Sequence, residues 1–306
     1  MKRIQLRVAP AEAGQRLDKF LAARSGLSRG ACRRAIDEGG VWIEGRRVRR
    51  LSLAVEANRR IEIVIDDRAP AGLAEPSVIF EDRSLLVLDK PAGLATQGTL
   101  ASDRHSALGW AQQRRGREVR TVHRLDIGTS GVLVLAKTAA AATVLALQFK
   151  EASVEKRYLA LCVGALAAPE GRLAQRIRPS SRRGVFEVSA SDGVPAITDY
   201  RVLARREPLL LVGARPATGR THQIRVHLAA AGAPLLGDVR YGGPASVALD
   251  GEVIRANRPL LHAAEISLGD PQTGKRLTFG ANPPDDFTEA LGQAGLEQES
   301  TNESQA

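Results

Sequence analysis

Three short stretches of this chain set ionisable side chains among apolar neighbours: His123-Arg124-Leu125-Asp126, Lys156-Arg157-Tyr158, and the run from Thr218 to Arg225, TGRTHQIR. An ionised carboxylate such as Asp126 can act as a nucleophile or a general base. A phenol such as Tyr158 offers a stacking face and a movable proton. Arg220 and Arg225 offer planar forks that fit a carboxylate or a phosphate. Each has a bland counterpart: Asp126 bonded to the N–H groups of Gly128 and Thr129 in a turn, Tyr158 as a strand aromatic, Arg225 in a surface ion pair. Taken singly those would be favoured; together they are harder to dismiss. Other chemistries fall away, because the chain has no G-x-x-x-x-G-K-[ST] loop, no strand followed by G-x-G-x-x-G, no H-E-x-x-H and no G-x-S-x-G elbow.

The elements that must position these residues are legible in outline. HRLDIGTSG runs into Val132–Ala136, an apolar, β-branched stretch that reads as a buried strand, so Asp126 sits on a loop fed into the core. Thr218-Gly219 is a turn that enters a helix near residues 222–230, with Arg220 and Arg225 on different faces. Further strands are expected at Ser84–Leu88, Tyr158–Val163, Ile197–Leu203 and Leu209–Val212, and helices near 105–115 and 138–151. This mixture, without regular strand-helix alternation, predicts an α+β fold. Residues 1 to about 75 read as a separate unit: a helix around Arg16–Leu21, a second over Arg29–Glu38 capped by Ser28 and ended by Gly39-Gly40, then strands at Val41–Ile43 and Ile61–Ile65 around the turn Glu44-Gly45. Asp66–Ser77 reads as a linker, and the final GLEQESTNESQA has nothing to bury.

Composition points to a polyanionic partner. The 306 residues carry 44 Lys and Arg against 34 Asp and Glu, a formal charge of +10, and residues 1–75 hold 16 of the former and 10 of the latter, or +6 of that excess. Arg29, Arg33, Arg34, Arg46 and Arg47 cluster there. No run approaches the ~18 apolar residues that span a bilayer, and MKRIQLRVAPAEAG lacks a signal peptide's apolar centre, so a cytoplasmic protein with no membrane partner is expected. Cys32 and Cys162 suggest neither a disulfide nor a zinc site and are expected to be buried small hydrophobes.

Residues 79–287 resemble the catalytic domain of the RluA-like family of RNA pseudouridine synthases, through motifs in the family's order. Asp89-Lys90-Pro91-Ala92-Gly93-Leu94 is similar to its Lys-Pro-x-Gly loop, and HRLDIGTSG with Ala136-Lys137 to its catalytic-aspartate motif. KRYLALCVG resembles its tyrosine strand, and TGRTHQIRVH with Gly237-Asp238 and Tyr241-Gly242 its arginine motif. RPLLHA at Arg258–Ala263 and PPDDF at Pro283–Phe287 resemble its closing segment. The N-terminal GQRLDKFL, LSRGACRRAI and VWIEG resemble an S4-type RNA-binding module. That module departs from the usual pattern at Glu44-Gly45, where Asn-Gly is usual, and around Ala57-Asn58, where Gly-Asp is usual.

The resemblance implies a pseudouridine synthase domain on a mixed, mainly antiparallel sheet with flanking helices, preceded by a small α/β S4-type domain. The implied boundaries are 1–70 for the small domain, 71–78 for the linker, 79–290 for the catalytic domain and 291–306 for a disordered tail. It implies an isomerase that turns uridines of RNA into pseudouridines, without metal or cofactor, as a monomer. Large-subunit (23S) ribosomal RNA is the favoured substrate; a transfer-RNA synthase and a non-catalytic RNA-binding or ribosome-assembly protein are the alternatives. Asp126 takes the catalytic role, Arg225 pairs both fork donors with its carboxylate, and Tyr158 stacks on the extruded uracil. Arg124, Arg220, His222 and the arginines of the small domain, Arg29, Arg33, Arg34, Arg46 and Arg47, would contact RNA, while His123 orients the loop.

Overall fold

The computed structural model describes residues 2–65 and 74–296. One compact unit comprises the chain up to Glu75 together with Leu94–Val119; the other comprises Pro76–Gly93 and the chain from Arg120 onward. The expected linker residues 71–73 and the tail from 297 lie outside the described residues.

In the first unit, alternating apolar residues make β1 (Lys2–Arg7) and β4 (Arg60–Ile65) an antiparallel pair. With β2 (Val41–Ile43) and β3 (Arg46–Arg47) they form a four-stranded sheet ordered β1-β4-β2-β3. Helices α1 (Leu17–Arg24) and α2 (Arg29–Glu38) place Leu17, Phe20, Leu21 and Ile36 against Ile61 and Ile63. Ser28 caps α2 by accepting from the Ala31 N–H at 3.2 Å, and Gly39 ends it with φ 87°. Glu44 and Gly45 both have positive φ, 48° and 76°, the backbone that a tight two-residue hairpin demands. The segment 94–106 packs on this unit, although the sequence assigned it to the larger domain. Trp42 Nε1 donates to the Leu100 carbonyl at 3.0 Å and Arg47 Nη2 to that of Thr99 at 2.6 Å. Helix α3 (Ala107–Arg115), capped by Ser106, follows.

The second unit is built on ten strands. Its main path runs β10 (Glu170–Leu173), β13 (Thr198–Arg206), β14 (Leu209–Pro216), β9 (Glu155–Val163), β17 (Leu261–Gly269), β8 (Ser130–Ala136), β6 (Leu85–Lys90) and β5 (Ser77–Glu81). β18 (Arg276–Gly280) pairs with β17, and β7 (Arg120–Thr121) with β8. Two hairpins stand apart, β11 (Arg176–Pro179) with β12 (Phe186–Ser189) and β15 (Ser246–Leu249) with β16 (Glu252–Arg255). Helices α4 (Ala139–Lys150), α5 (Gln223–Ala230) and α6 (Asp285–Gln293) flank the sheet. Among the described strands every pairing is antiparallel except β8 with β17, so the expected mixed, mainly antiparallel α+β fold is what forms.

Two boundaries differ from expectation. Ser77 and Val78, assigned to the linker, already pair with Asp89 and Leu88. Leu291, Ala294 and Leu296, assigned to a disordered tail, are buried beside Phe287 and Leu211: Leu291 continues the apolar face of α6, and Ala294 and Leu296 follow just past its end. Cys32 and Cys162 are free and buried, as expected.

Candidate active site

β8 is buried throughout and apolar from Val132 to Ala136, which makes the loop before it a stiffly mounted one. Gly131 is required at its start: φ is 108°, and a Cβ there would lie 2.2 Å from the Ala263 carbonyl oxygen of β17. Three side chains pin the loop from below. His123 Nε2 accepts from the Val134 N–H at 2.9 Å while its ring stacks on Phe149, and burial pushes its pKa down to about 3, keeping it a neutral acceptor. Buried Lys90 donates to the Pro91 carbonyl at 2.9 Å and reaches the Ile127 carbonyl at 3.5 Å. Arg258 donates to the Gly128 carbonyl at 3.0 Å and is itself held by both oxygens of Asp286 at 2.6 and 2.7 Å.

The turn reading of Asp126 is answered by these bonds. The Thr129 N–H donates to the main-chain carbonyl of Asp126, 3.1 Å away, and the carboxylate turns instead to Arg225, whose Nη1 donates to Oδ2 at 3.3 Å. The fork of Arg225 is occupied elsewhere: Nε and Nη2 donate to the two oxygens of Asp238 at 2.6 and 2.7 Å. Asp126 thus receives one N–H rather than the expected two, because a second carboxylate takes the parallel pair. Burial opposes the charge of Arg225, but Asp238 and Asp126 together more than offset it and its pKa is raised. Tyr241 lies beneath the guanidinium, ring centroid 4.9 Å from its central carbon.

The turn before α5 is fixed by one buried amide. Gln223 Oε1 accepts from Thr218 Oγ1 and the Arg220 N–H at 2.6 and 3.0 Å, and its Nε2 donates to the Ile197 carbonyl and Thr198 Oγ1 at 2.8 and 3.0 Å. The turn's N–H of Arg220 is therefore spent within the protein. Arg220 is exposed, its Nε donating to the Pro195 carbonyl at 3.1 Å, whereas Arg225 is buried; Arg220 lies in the turn before α5 rather than on a second face of the helix. His222 starts the helix with φ 57°, its Nε2 3.8 Å from Asp126 Oδ2. Burial holds its imidazole below the usual range.

Asp126, Tyr158, Arg225, His222, Arg124 and Arg220 line one cavity of about 320 Å³ with Lys156 and Thr218. Asp126 is only 17% exposed there. Burial, then the Asp126 charge, raises the pKa of Tyr158, which keeps it a neutral phenol. Burial pushes Lys156 down to about 8 and Lys90 to about 7. Arg124 is exposed at the cavity.

The arginines of the first unit divide. Arg33, Arg34 and Arg46 are exposed. Arg29 is exposed but donates to buried Asp18 at 3.0 Å, and Arg47 is spent on the Gly39 and Thr99 carbonyls and on the ring of Trp42. Asp238, Tyr241, Lys90, Arg258 and Lys156 all fall in or beside motifs visible in the sequence, yet their contacts join positions up to 130 residues apart and no spacing announces them. Among the described residues, no group of three or more His, Cys, Asp or Glu could hold a metal.

A carboxylate in a nucleotide-sized pocket, on a mixed sheet that follows a small basic unit, defines an RNA-modifying enzyme. Residues 84–230 match the model of the RNA pseudouridylate synthase family, and residues 15–61 that of the S4 domain. The chain is 37% identical over 292 residues to ribosomal large subunit pseudouridine synthase C of Yersinia pestis, covering 88% of this chain and 89% of that one. It is 32% identical to ribosomal large subunit pseudouridine synthase D of Vibrio parahaemolyticus, covering 93% of each. Its fold is similar to the solved structures of human RNA pseudouridylate synthase domain containing 4 and 1, with TM-scores of 0.59 and 0.58 at 25% and 28% identity, covering 72% of this chain and 94% and 89% of theirs. The chain belongs to the RluA-like family of RNA pseudouridine synthases, isomerases that carry a uridine of RNA to pseudouridine.

Proposed function

We propose that this enzyme modifies uridines of large-subunit ribosomal RNA in the cytoplasm, with Asp126 as the reacting carboxylate. The observation that carries the catalytic assignment is that Asp126's carboxylate faces the cavity beside Arg225 while its loop is held by main-chain bonds. The substrate assignment is supported by the two bacterial relatives, named for the large ribosomal subunit, and by the basic first unit, for which we propose the role of RNA-gripping module, with the second unit as the catalytic domain.

The reaction breaks the N1–C1′ bond of a uridine, turns the base, joins C5 to C1′ and releases the C5 proton; no electrons are gained or lost. A base inside a helix cannot reach a pocket of this size, so the uridine is flipped out of its stack. Tyr158 supplies a neutral ring face for the extruded uracil. Arg225, whose Nε and Nη2 are taken by Asp238, still presents one N–H to Asp126 and so holds that carboxylate in place. Arg124 and Arg220, exposed around the cavity, meet the phosphate backbone, and Arg33, Arg34 and Arg46 extend that grip. The alternative of a non-catalytic RNA-binding protein is disfavoured by the retention of carboxylate, phenol and guanidinium in one pocket.

Mapping pseudouridine across total RNA from cells with and without the gene tests the substrate: the sites lost should lie in large-subunit ribosomal RNA, and losses confined to transfer RNA would refute it. For the chemistry, Asp126→Asn should bind RNA yet release no tritium from RNA containing 5-tritiated uridine. Release at the wild-type rate would falsify the assignment of Asp126.

A further inference from the structure

Two donors converge on one oxygen of Asp126. Arg225 Nη1 lies 3.3 Å from Oδ2, His222 Nε2 lies 3.8 Å from the same atom, and among the described contacts none falls on Oδ1. We propose that His222 is a positioning residue: a neutral imidazole whose Nε2–H joins Arg225 in pinning Oδ2, leaving Oδ1 as the oxygen that meets the substrate. The inference rests on Asp126 being the reacting carboxylate.

The neighbours of His222 favour one tautomer. The Phe186 N–H donates to the Tyr241 hydroxyl oxygen at 3.1 Å, and an amide can only donate. Of the hydroxyl's described partners only His222 Nδ1, 2.6 Å away, can accept its proton. With Nδ1 accepting, the imidazole proton resides on Nε2, the atom that faces Asp126. Phe186 and Tyr241 meet the ring edge-on at centroid distances of 5.6 and 5.5 Å, so the plane of the ring is fixed as well. The charged groups around it are Asp126 and Asp238 on one sign and Arg225 and Arg240 on the other, and burial outweighs them in favour of the neutral form.

The backbone carries the same message. His222 holds φ 57° at the N-cap of α5 without a capping bond from its side chain, a conformation uncommon for a residue other than glycine. A helix cap does not account for it. This backbone sets the side chain between Tyr241 and Asp126. At 3.8 Å the Nε2–H stands just outside hydrogen-bond range, and a shift of about 0.8 Å on substrate binding completes the bond.

The test measures tritium release from RNA containing 5-tritiated uridine by the full-length protein and four variants, with circular dichroism and melting curves to show that each is folded. His222→Ala should lower kcat by about 10- to 100-fold with KM within about threefold of wild type. His222→Gln, whose amide N–H₂ can reach the former Nε2 position, should recover much of that loss. Tyr241→Phe, which frees the imidazole to take either tautomer, should fall between them. A normal kcat with a raised KM in His222→Ala makes the histidine an RNA contact and overturns the proposal, as do equal losses in the folded Ala and Gln variants. Asp126→Asn separates the layers: if it stays active, the assignment of Asp126 and this inference fall together; if it is silent while His222→Ala is normal, only the inference falls.

Discussion

Arg225 is asked to satisfy two carboxylates at once, and only a guanidinium has the geometry to do so. Its Nε and Nη2 form a parallel pair with Asp238, and Nη1 is left to point at Asp126. A lysine could neutralise one partner but could not hold both at fixed angles. Arg225→Lys should therefore lower kcat by about 100-fold or more in the tritium-release assay; a variant within a few-fold of wild type would show that the second donor is dispensable. The importance of Arg225 was readable from the sequence through its place in the arginine motif. Its division between two acids was not, because Asp238 lies 13 residues away on another segment and nothing in the linear pattern says which carboxylate takes the fork.

Among the elements, the decisive one is the junction of β8 with β17, the one parallel pairing in the sheet. It lasts only two residue pairs, Ser130 with His262 and Ala263 with Gly131, yet it fixes the strand that the Asp126 loop feeds. Gly131→Ala should destabilise the protein by at least about 3 kcal/mol, since the new Cβ would press on the Ala263 carbonyl and the φ of 108° is one that alanine rarely adopts; chemical denaturation measures this directly. A midpoint close to wild type would mean that the two strands can part without cost. Strands and helices of this unit were legible because their apolar patterns are strong: α2, α4 and α5 form within two residues of where periodicity put them. The segment 94–106 was misassigned because its ties to the first unit run through Trp42 and Arg47, an indole N–H and a guanidinium reaching main-chain carbonyls, and carbonyls leave no trace in a sequence. For the same reason the basic cluster could be seen but not sorted into arginines free for RNA and arginines already spent.

Over the whole molecule, burial of neutral histidines ties stability to pH. His123, His222, His227 and His262 all have pKa values depressed from an ordinary 6.5, in each case chiefly by burial. A depressed value means that below pH 6.5 the unfolded chain binds protons that the folded chain refuses. The contribution is complete above about pH 6.5 and is lost as pH falls toward the folded values, at up to about 1.4 kcal/mol per pH unit for each residue. Urea denaturation at pH 7.5 and 5.0 should show a clear drop in midpoint at the lower pH; equal midpoints would mean that these imidazoles are charged in the native state. The parallel junction has one more consequence, in the order of synthesis. Asp126 leaves the ribosome early, but the strand that anchors its loop, the arginine that clamps it and the acid that holds that arginine arrive with residues 258–286. A nascent chain ending before residue 258 would carry Asp126, Tyr158 and Arg225 and still lack the frame that makes them a site, so activity should wait for that segment to be made.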